Sequence, residues 1–214
     1  MAIQLLGADG TTLLAVDPQF QAQRVSLRPM QNLSWNSVGA QSGALTAAGA
    51  NTPIFSFRNL SANPIVIRRA GVGFITITAF TAGQIVDYGL MVARAFTVSD
   101  SGGTAIALIG NNAKHRTNLG TLTSVDCRIA TTTALTAGTK TLDTNHLSQV
   151  GAFSSAIGVS LTPGLDNLLS NDAGDHPLIL AQNEGINVMN ITAMGTAGVI
   201  RAYVNLEIAE VTSY

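Results

Sequence analysis

Residues 184–211 read E-G-I-N-V-M-N-I-T-A-M-G-T-A-G-V-I-R-A-Y-V-N-L-E-I-A-E-V, and this stretch decides the fold class. In its second half, apolar residues alternate with polar residues and one tyrosine. Side chains of a β-strand point alternately to its two faces, so a period of two indicates a strand with one buried face. The pattern predicts a strand over 199–211 with a buried parity made of Ile200, Ala202, Val204, Leu206 and Ile208.

The first half of the stretch predicts a second strand. The run from Ile186 to Ala193 is apolar, but its parity slips between Val188 and Ile191, as it would at a β-bulge. The intervening Gly195-Thr196-Ala197-Gly198 supplies residues that tolerate positive φ. We therefore expect the two strands to form a long closing hairpin. A hairpin with one apolar face is not stable alone in water, so the rest of the chain must supply a second layer.

Charged residues are scarce. They make up 11% of the 214 residues, whereas the average soluble domain has roughly 25%. Lys114 and Lys140 are the only lysines, which leaves little material for the exposed faces of long helices. The formal net charge of -1 gives no electrostatic attraction for nucleic acid. The composition therefore favours a β domain and disfavours a role in binding DNA or RNA.

A surface with little charge is poorly protected against association. We expect a subunit of an assembly and a homo-oligomer, with a trimer favoured over a dimer by analogy; an ordinary monomer with a Thr/Asn-rich surface is the alternative. The single cysteine, Cys127, excludes an internal disulfide and is expected to be a small buried residue on a strand. No secretory signal or membrane-spanning run is recognisable, so a soluble protein made in a cytoplasm is expected.

Several other runs predict strands, whereas residues 110–177 are rich in loops. No repeat of fixed period is present, which argues against a propeller or solenoid. Short strands separated by Gly-rich turns favour an all-β fold, a two-sheet β-sandwich of jelly-roll type. We expect one such domain over 32–214, with a loop-rich insertion around 110–177. The predicted strands are 35–38, 54–58, 65–67, 71–79, 87–98, 104–109, 124–130, 133–136 and 178–181. The runs 65–67 and 71–79 are typical of a strand buried on both sides or of one that bends at 68–71.

Residues 1–31 combine short apolar pieces with turn signals such as Asp9-Gly10 and Asp17-Pro18. No piece is long enough to build its own core. The segment is predicted to be an extended N-terminal arm that reaches a neighbouring subunit, and edge strands folded onto the same domain are the alternative. The residues predicted to bind a partner are Ile3, Leu5, Leu6, Leu13, Leu14, Phe20, Arg24 and Arg28.

The sequence contains no motif that would hold zinc, cradle phosphate or activate a serine. His115, His146 and His176 are scattered, and their spacing matches no zinc site. Asp166, Asp172 and Asp175 lie among turn residues and match no EF-hand loop. We expect no catalytic residue, no metal and no cofactor. Three basic residues could bind an anion or an acidic partner surface: Arg58, Arg68 and Arg69. Rim contacts, or ion pairs with Asp87 and Asp100, are the simpler expectation.

Three segments resemble uncharacterised structural proteins of tailed-bacteriophage virions. They are G-A-D-G-T-T-L-L-A-V-D-P-Q-F-Q-A-Q-R-V-S-L-R-P (7–29), R-N-L-S-A-N-P-I-V-I-R-R-A-G-V-G-F (58–74) and G-L-M-V-A-R-A-F-T-V-S-D (89–100). The resemblance consists of short stretches of similar sequence spread over most of the chain, and it involves no diagnostic motif. It implies a non-enzymatic virion component made in the host cytoplasm, such as a capsid decoration or cement protein that contacts the major capsid protein.

Other functions stay open at this level. A tail, collar or fibre component is the nearest alternative. A carbohydrate-binding or receptor-binding adhesin would need exposed aromatic residues, but aromatics are 5% of the chain and Trp35 is the only tryptophan. A hydrolase is the least supported, because a fold alone does not confer activity.

Overall fold

The structure, a computed structural model, describes residues 32–161, 167–170 and 177–212. Within these ranges the chain forms β-strands and no helix, which confirms the all-β prediction. The strands are β1 (Asn32–Gln41), β2 (Leu45–Thr46), β3 (Thr52–Asn59), β4 (Ile65–Thr78), β5 (Gln84–Arg94), β6 (Thr104–Ala105), β7 (Val125–Ile129), β8 (Thr141–Leu142), β9 (Ser148–Ser154), β10 (Ser160–Leu161), β11 (Leu169–Ser170), β12 (Leu178–Leu180), β13 (Gly185–Asn190) and β14 (Val199–Val211).

The strands form two open antiparallel sheets of seven strands each. In the first sheet β14 lies between β1 and β4, the short β2 pairs with β14, and β10, β11 and β12 pair with the other edge of β4. The second sheet has the order β6-β7-β3-β13-β5, and both β8 and β9 pair with β5. The described strands do not close either sheet into a barrel.

The main pairs are nested along the chain. β1 pairs with β14, β3 with β13, β4 with β12, and β5 with β9. Successive pairs alternate between the first and the second sheet. The connections between consecutive main strands therefore pass from one sheet to the other, except between β5 and β9, which lie in the same sheet.

The hydrophobic core lies between the two sheets. The apolar parity predicted for β14 is confirmed, because each of its five residues is at most 1% exposed. Burying an aliphatic or aromatic side chain contributes about 1.5–3 kcal/mol, so this shared layer is the main stabilising element. The first sheet contributes core residues such as Val38, Val72, Phe74 and Val204. The second sheet contributes core residues such as Phe55, Phe57, Tyr88, Leu90, Ile186 and Val188.

The predicted closing hairpin is wrong. β13 belongs to the second sheet, between β3 and β5, whereas β14 belongs to the first sheet, between β1 and β4. Each strand has an apolar face, and the two faces reach the core from opposite sides. The predicted irregularity exists, but the extra residue is on the neighbouring strand. Val188 pairs with Phe55 and Met189 with Pro53, which leaves Ile54 as the additional residue of β3.

Other predicted boundaries change as well. The strand predicted over 87–98 ends at Arg94, and the following Ala95 has a φ of 45°. Phe96 is buried in the loop beyond the strand, whereas Val98 is exposed. The bend predicted in 68–71 is a bulge within one continuous β4. The predicted strand 104–109 is reduced to β6, residues 133–136 form no strand, and β9 occupies a segment predicted to be a loop.

Candidate functional site

Strand β9 forms an unprotected edge of the second sheet. It pairs with β5 from Leu90↔Ser148 to Gln84↔Ser154, and in the described ranges no strand pairs with its other edge. Its sequence S-Q-V-G-A-F-S contains no charge and no proline. Natural edge strands are usually protected by lysine, proline, bulges or a covering loop, because unpaired backbone groups invite another strand. β9 therefore offers an uncharged edge, centred on residues 149–153, to an additional strand.

Exposed apolar side chains accompany this edge. Ile85 and Phe153 are cross-strand partners, and Phe153 is 60% exposed although its ring lies against Gly83. Leu147 immediately precedes β9, and Ile157 lies in the turn that follows it. These four residues, the β9 patch, are more than half exposed. Apolar side chains that stay exposed along a sheet edge and at its two ends are typical of a protein interaction site.

The corresponding edge of the first sheet is covered. Along β1, the amide of Ser37 donates to the carbonyl of Ala113 at 2.8 Å. The carbonyls of Trp35 and Leu33 accept from the amides of His115 and Gly120, each at 2.8 Å. The loop around 113–120 therefore shields the β1 edge with its own backbone. The described residues contain no equivalent cover for β9, which makes β9 the candidate assembly site.

The outer face of the first sheet carries an aromatic and ionic cluster around Trp35. The indole Nε1 donates to Oε1 of Glu207 at 2.9 Å. The Arg68 guanidinium lies 4.6 Å from the indole centroid, and the His115 ring stacks on the indole at the same distance. Glu207 also lies 3.8 Å from Nη1 of Arg68 and 3.9 Å from Nε of Arg69. Trp35 is thus already stacked by side chains of its own chain.

A bulge brings the two arginines to this cluster. Glu207 pairs with Arg69 and Ile208 with Ile67, so Arg68 is the extra residue of β4. A bulge turns neighbouring side chains toward one face of a strand. The predicted ion pairs of these arginines with Asp87 or Asp100 are therefore wrong, because both arginines lie beside Glu207.

Arg58 also has partners other than the predicted ones. Its guanidinium donates to Oγ of Ser99 at 3.1 Å and to Oδ1 of Asn183 at 2.7 Å. Asp87 instead accepts hydrogen bonds from the amide of Thr192 at 2.8 Å and from its hydroxyl at 3.0 Å. Arg58 is mostly buried and serves to hold loops on the second sheet, which argues against an anion site at this residue.

A buried polar cluster lies at β13 of the second sheet. Oδ1 of Asp100 accepts hydrogen bonds from the amide of Gly138 at 2.7 Å and from Nζ of Lys140, and Oδ2 accepts from Nδ2 of Asn187 at 2.7 Å. The side chains of Asp100 and Lys140 are 0% and 4% exposed, and Asn187 is fully buried. We call Asp100, Lys140 and Asn187 the Asp100 cluster.

Burial affects the two charged groups differently. Desolvation is the largest influence on Lys140 and lowers the pKa of its amine, although the hydrogen bond that the amine donates to Asp100 opposes this. Desolvation is also the largest single influence on Asp100 and raises its pKa. The hydrogen bonds from Gly138, Lys140 and Asn187 together outweigh it, so the pKa of Asp100 is lowered overall. The carboxylate is thus the resident form, beside an amine that burial makes easier to deprotonate.

The described histidines do not converge. His115 stacks on Trp35 of the first sheet, whereas His146 lies against Gly89 of the second sheet and is 2.9 Å from Nε2 of Gln149. Within the described ranges no group of three or more His, Cys, Asp or Glu side chains could hold a metal ion. Cys127 is buried on β7, as predicted.

Other predicted residues fall in parts of the chain that the structure does not describe. The predicted arm lies there, with all eight of its partner-binding residues: Ile3, Leu5, Leu6, Leu13, Leu14, Phe20, Arg24 and Arg28. The predicted turn aspartates and the third histidine lie there too: Asp166, Asp172, Asp175 and His176.

Sequence reasoning missed both the β9 patch and the Asp100 cluster. Val150 and Ala152 pack toward the core while Phe153 faces outward, so the apolar residues of β9 do not share one parity. A run of seven uncharged residues was the one available signal for this edge. The Asp100 cluster combines residues from three distant segments, and no local spacing could have indicated it.

No protein-family model matches this chain, and comparisons with curated proteins and with solved structures also find no match. In the described part of the chain no helix is long and apolar enough to cross a membrane.

Proposed function

We propose that this chain is a non-enzymatic structural protein of a bacteriophage virion, a capsid decoration or cement protein that binds the outside of the head and stabilises it. The observation that carries the structural role is the uncharged, exposed edge of β9 with the β9 patch beside it. The assignment to a virion rests on the sequence resemblance described above. The arm of residues 1–31 remains the predicted contact to the major capsid protein.

The fold that we propose is a jelly roll. A jelly roll consists of two antiparallel sheets built from two Greek keys, with eight main strands. The nested pairs β1–β14, β3–β13, β4–β12 and β5–β9 support it, because they alternate between the two sheets in chain order. Under this proposal β10, β11 and β12 together take the place of one main strand along β4.

The proposed occupant of the β9 patch is a second copy of this chain. A surface that meets its own copies must avoid like charges, and neither β9 nor its flanking Leu147 and Ile157 carries any charge. Apolar side chains such as Phe153 gain free energy when a neighbour removes them from water. A homo-oligomer follows, and a trimer remains favoured over a dimer on analogy alone.

Sedimentation velocity at micromolar concentration tests the self-association. We expect the wild-type protein to be oligomeric and the Phe153→Asp variant to be monomeric, because a carboxylate in a closed apolar contact is strongly unfavourable. Ile109→Asp is the matched control, since Ile109 is 57% exposed but lies outside the β9 patch, and it should stay oligomeric. A monomeric wild-type protein, or an oligomeric Phe153→Asp variant with an unchanged circular dichroism spectrum, would contradict the proposed surface.

Immunogold electron microscopy of purified particles tests the location. Antibodies against the domain should label the head of intact particles. Label on the tail, collar or fibres would support a tail, collar or fibre component instead of a capsid decoration protein. Unlabelled particles would contradict the proposal that the chain is a virion protein. Deletion of residues 2–28 should reduce retention on particles while the β domain stays folded, if the arm is the attachment element.

The alternative of a carbohydrate-binding adhesin has less support. Sugar recognition commonly uses an exposed aromatic face, but the Trp35 ring is stacked by His115 and Arg68. Phe153 is the most exposed large aromatic side chain in the described ranges, and it has no polar group to orient a sugar. The β9 patch thus fits a protein neighbour better than a glycan.

A further inference from the structure

The Asp100 carboxylate bridges a lysine and an asparagine inside the protein. One of its oxygens accepts from Nζ of Lys140, and the other accepts from Nδ2 of Asn187 at 2.7 Å. An amine and an amide that both contact the same carboxylate are the groups required to exchange one amide nitrogen for another.

The surroundings of these groups exclude water. The Lys140 amine lies 4.7 Å from the centroid of the Phe96 ring, and the side chains of Lys140 and Asp100 are almost completely buried. A buried ion pair loses the hydration of both charges, so transfer of the proton from the amine to the carboxylate costs less than it would in water. Burial thus favours a neutral amine, which is the nucleophilic form of lysine.

The asparagine has an unusual environment for a buried amide. Its Nδ2 donates to Asp100 and also lies 3.4 Å from the carbonyl of Phe55, whereas its Oδ1 is buried with no hydrogen-bond partner in the described ranges. A buried polar atom without a partner is costly and requires an explanation. No hydrogen bond from the described residues to Oδ1 therefore has to be broken when the Asn187 amide reacts.

We propose that Lys140 and Asn187 become joined by an intramolecular isopeptide bond that the folded protein forms by itself. The Asp100 carboxylate takes a proton from the Lys140 ammonium, and the neutral Nζ attacks Cγ of Asn187. Asp100 then delivers this proton to the amide nitrogen and takes the second proton from Nζ. The bond between Cγ and Nδ2 breaks, and the nitrogen leaves as ammonia, which accepts the second proton from Asp100 and departs as ammonium. One carbon–nitrogen bond forms and one breaks, so no oxidant, metal or cofactor is needed.

Asp100 acts in this reaction as the acid and base, and Asn187 as the electrophile. The alternative, an amide between Lys140 and Asp100 itself, would release water and would leave no carboxyl group of the cluster to transfer the proton. The bridging position of Asp100 between the other two side chains therefore favours the bond to Asn187. The product would tie the loop that contains Lys140 to β13, the central strand of the second sheet.

Intact-protein mass spectrometry of the denatured full chain tests the proposal. The wild-type mass should be lower than the sequence mass by one ammonia molecule, after allowance for the initiator methionine. Peptide mapping should show the Lys140 peptide joined to the Asn187 peptide, with no tryptic cleavage after Lys140. Unchanged mass would overturn the proposal, as would the loss of one water molecule with a Lys140–Asp100 linkage.

Variants separate the roles of the three residues. Lys140→Arg keeps a positive charge but should show the full sequence mass, and Lys114→Arg is the matched control at the other lysine and should still lose ammonia. Asp100→Asn retains the size of the side chain but cannot transfer the proton, so it too should show the full mass. Retained loss of ammonia with a mapped crosslink in Asp100→Asn would refute the acid and base role. If a variant does not fold, the wild-type mass and peptide map still decide whether the bond exists.

Discussion

The rings of Phe74 and Tyr88 meet edge to face, with their centroids 6.2 Å apart and their planes at 69°. Phe74 lies on β4 of the first sheet and Tyr88 on β5 of the second, so this pair joins the two sheets at the centre of the core. Both residues are at most 1% exposed. The Tyr88 hydroxyl has no hydrogen-bond partner among the described residues, and burial raises its pKa.

Tyr88→Phe should increase the stability of the domain. The substitution keeps the ring and its contact with Phe74 but removes a buried hydroxyl whose desolvation costs about 1–3 kcal/mol when it is unpaired. We expect the free energy of unfolding in urea to rise by about 1 kcal/mol. Tyr88→Leu is the control, since it also removes the ring and should be destabilising. A loss of stability in Tyr88→Phe would mean that the hydroxyl is hydrogen-bonded in solution.

Thr76 and Ser154 form another link between the sheets. Their hydroxyl oxygens are 2.7 Å apart, and both residues are fully buried. Thr76→Val should reduce the free energy of unfolding by about 1–3 kcal/mol, because the Ser154 hydroxyl is left unpaired. Adding Ser154→Ala should restore most of the loss. Additive losses in this double-mutant cycle would show that the two hydroxyls do not interact.

Glu207 holds the cluster around Trp35 together. Glu207→Ala removes the carboxylate that accepts from the indole and lies beside two arginines, and a loss of about 1–3 kcal/mol is expected. Glu207→Gln retains an acceptor for the indole and should lose less. The fluorescence of the single tryptophan during denaturation measures the free energy of unfolding of both variants. Equal losses in the two would show that charge, rather than the indole hydrogen bond, dominates the cluster.

Gly103 occupies a position that only glycine fits. Its φ is +60°, and a Cβ atom there would lie 2.2 Å from the carbonyl oxygen of Ile129. Gly102 also has a positive φ, of +75°, but a Cβ atom would meet nothing within 4 Å. Gly102→Ala should therefore cost only the backbone strain of about 1–2 kcal/mol, and Gly103→Ala should cost clearly more. Thermal unfolding of the two variants compares them directly, and equal melting temperatures would contradict the close contact.

Cys127 should react only when the protein opens. Burial raises the pKa of its thiol, and the nearby charge of Asp126 raises it further, so the reactive thiolate is rare in the folded state. Labelling with a thiol reagent near pH 8 should be many times slower than in the unfolded chain and should accelerate with denaturant. Rapid labelling of the folded protein would place the thiol at the surface.

The pattern of β14 was sufficient to predict the strand because its alternating residues face a core on one side only. The same pattern could not predict its partners. Both β13 and β14 have apolar faces, and such strands can form one hairpin or the centres of two sheets. Pairing depends on β1, β3, β4 and β5, which lie far away in the chain, so local periodicity does not contain the information.

The candidate sites, too, depend on contacts that the local sequence does not reveal. β9 escaped prediction because Phe153 faces solvent, so the apolar residues of this strand do not lie on one buried face. The Asp100 cluster depends on side chains from the loops before β6 and β8 and from β13, and only the folded sheet brings them into contact. The composition shows that charged residues are scarce, but it does not show that an uncharged strand forms an exposed edge of a sheet.

The central positions of β13 and β14 have a consequence for biosynthesis. Before these strands emerge from the ribosome, the strands already made cannot complete either sheet, since each sheet lacks the strand that joins its halves. Trp35 and Glu207, which meet in the finished protein, are separated by 172 residues. Contacts between distant residues slow folding, so the chain should collapse late and over milliseconds to seconds. The apolar faces of the earlier strands therefore stay uncovered in the nascent chain until β13 and β14 are made.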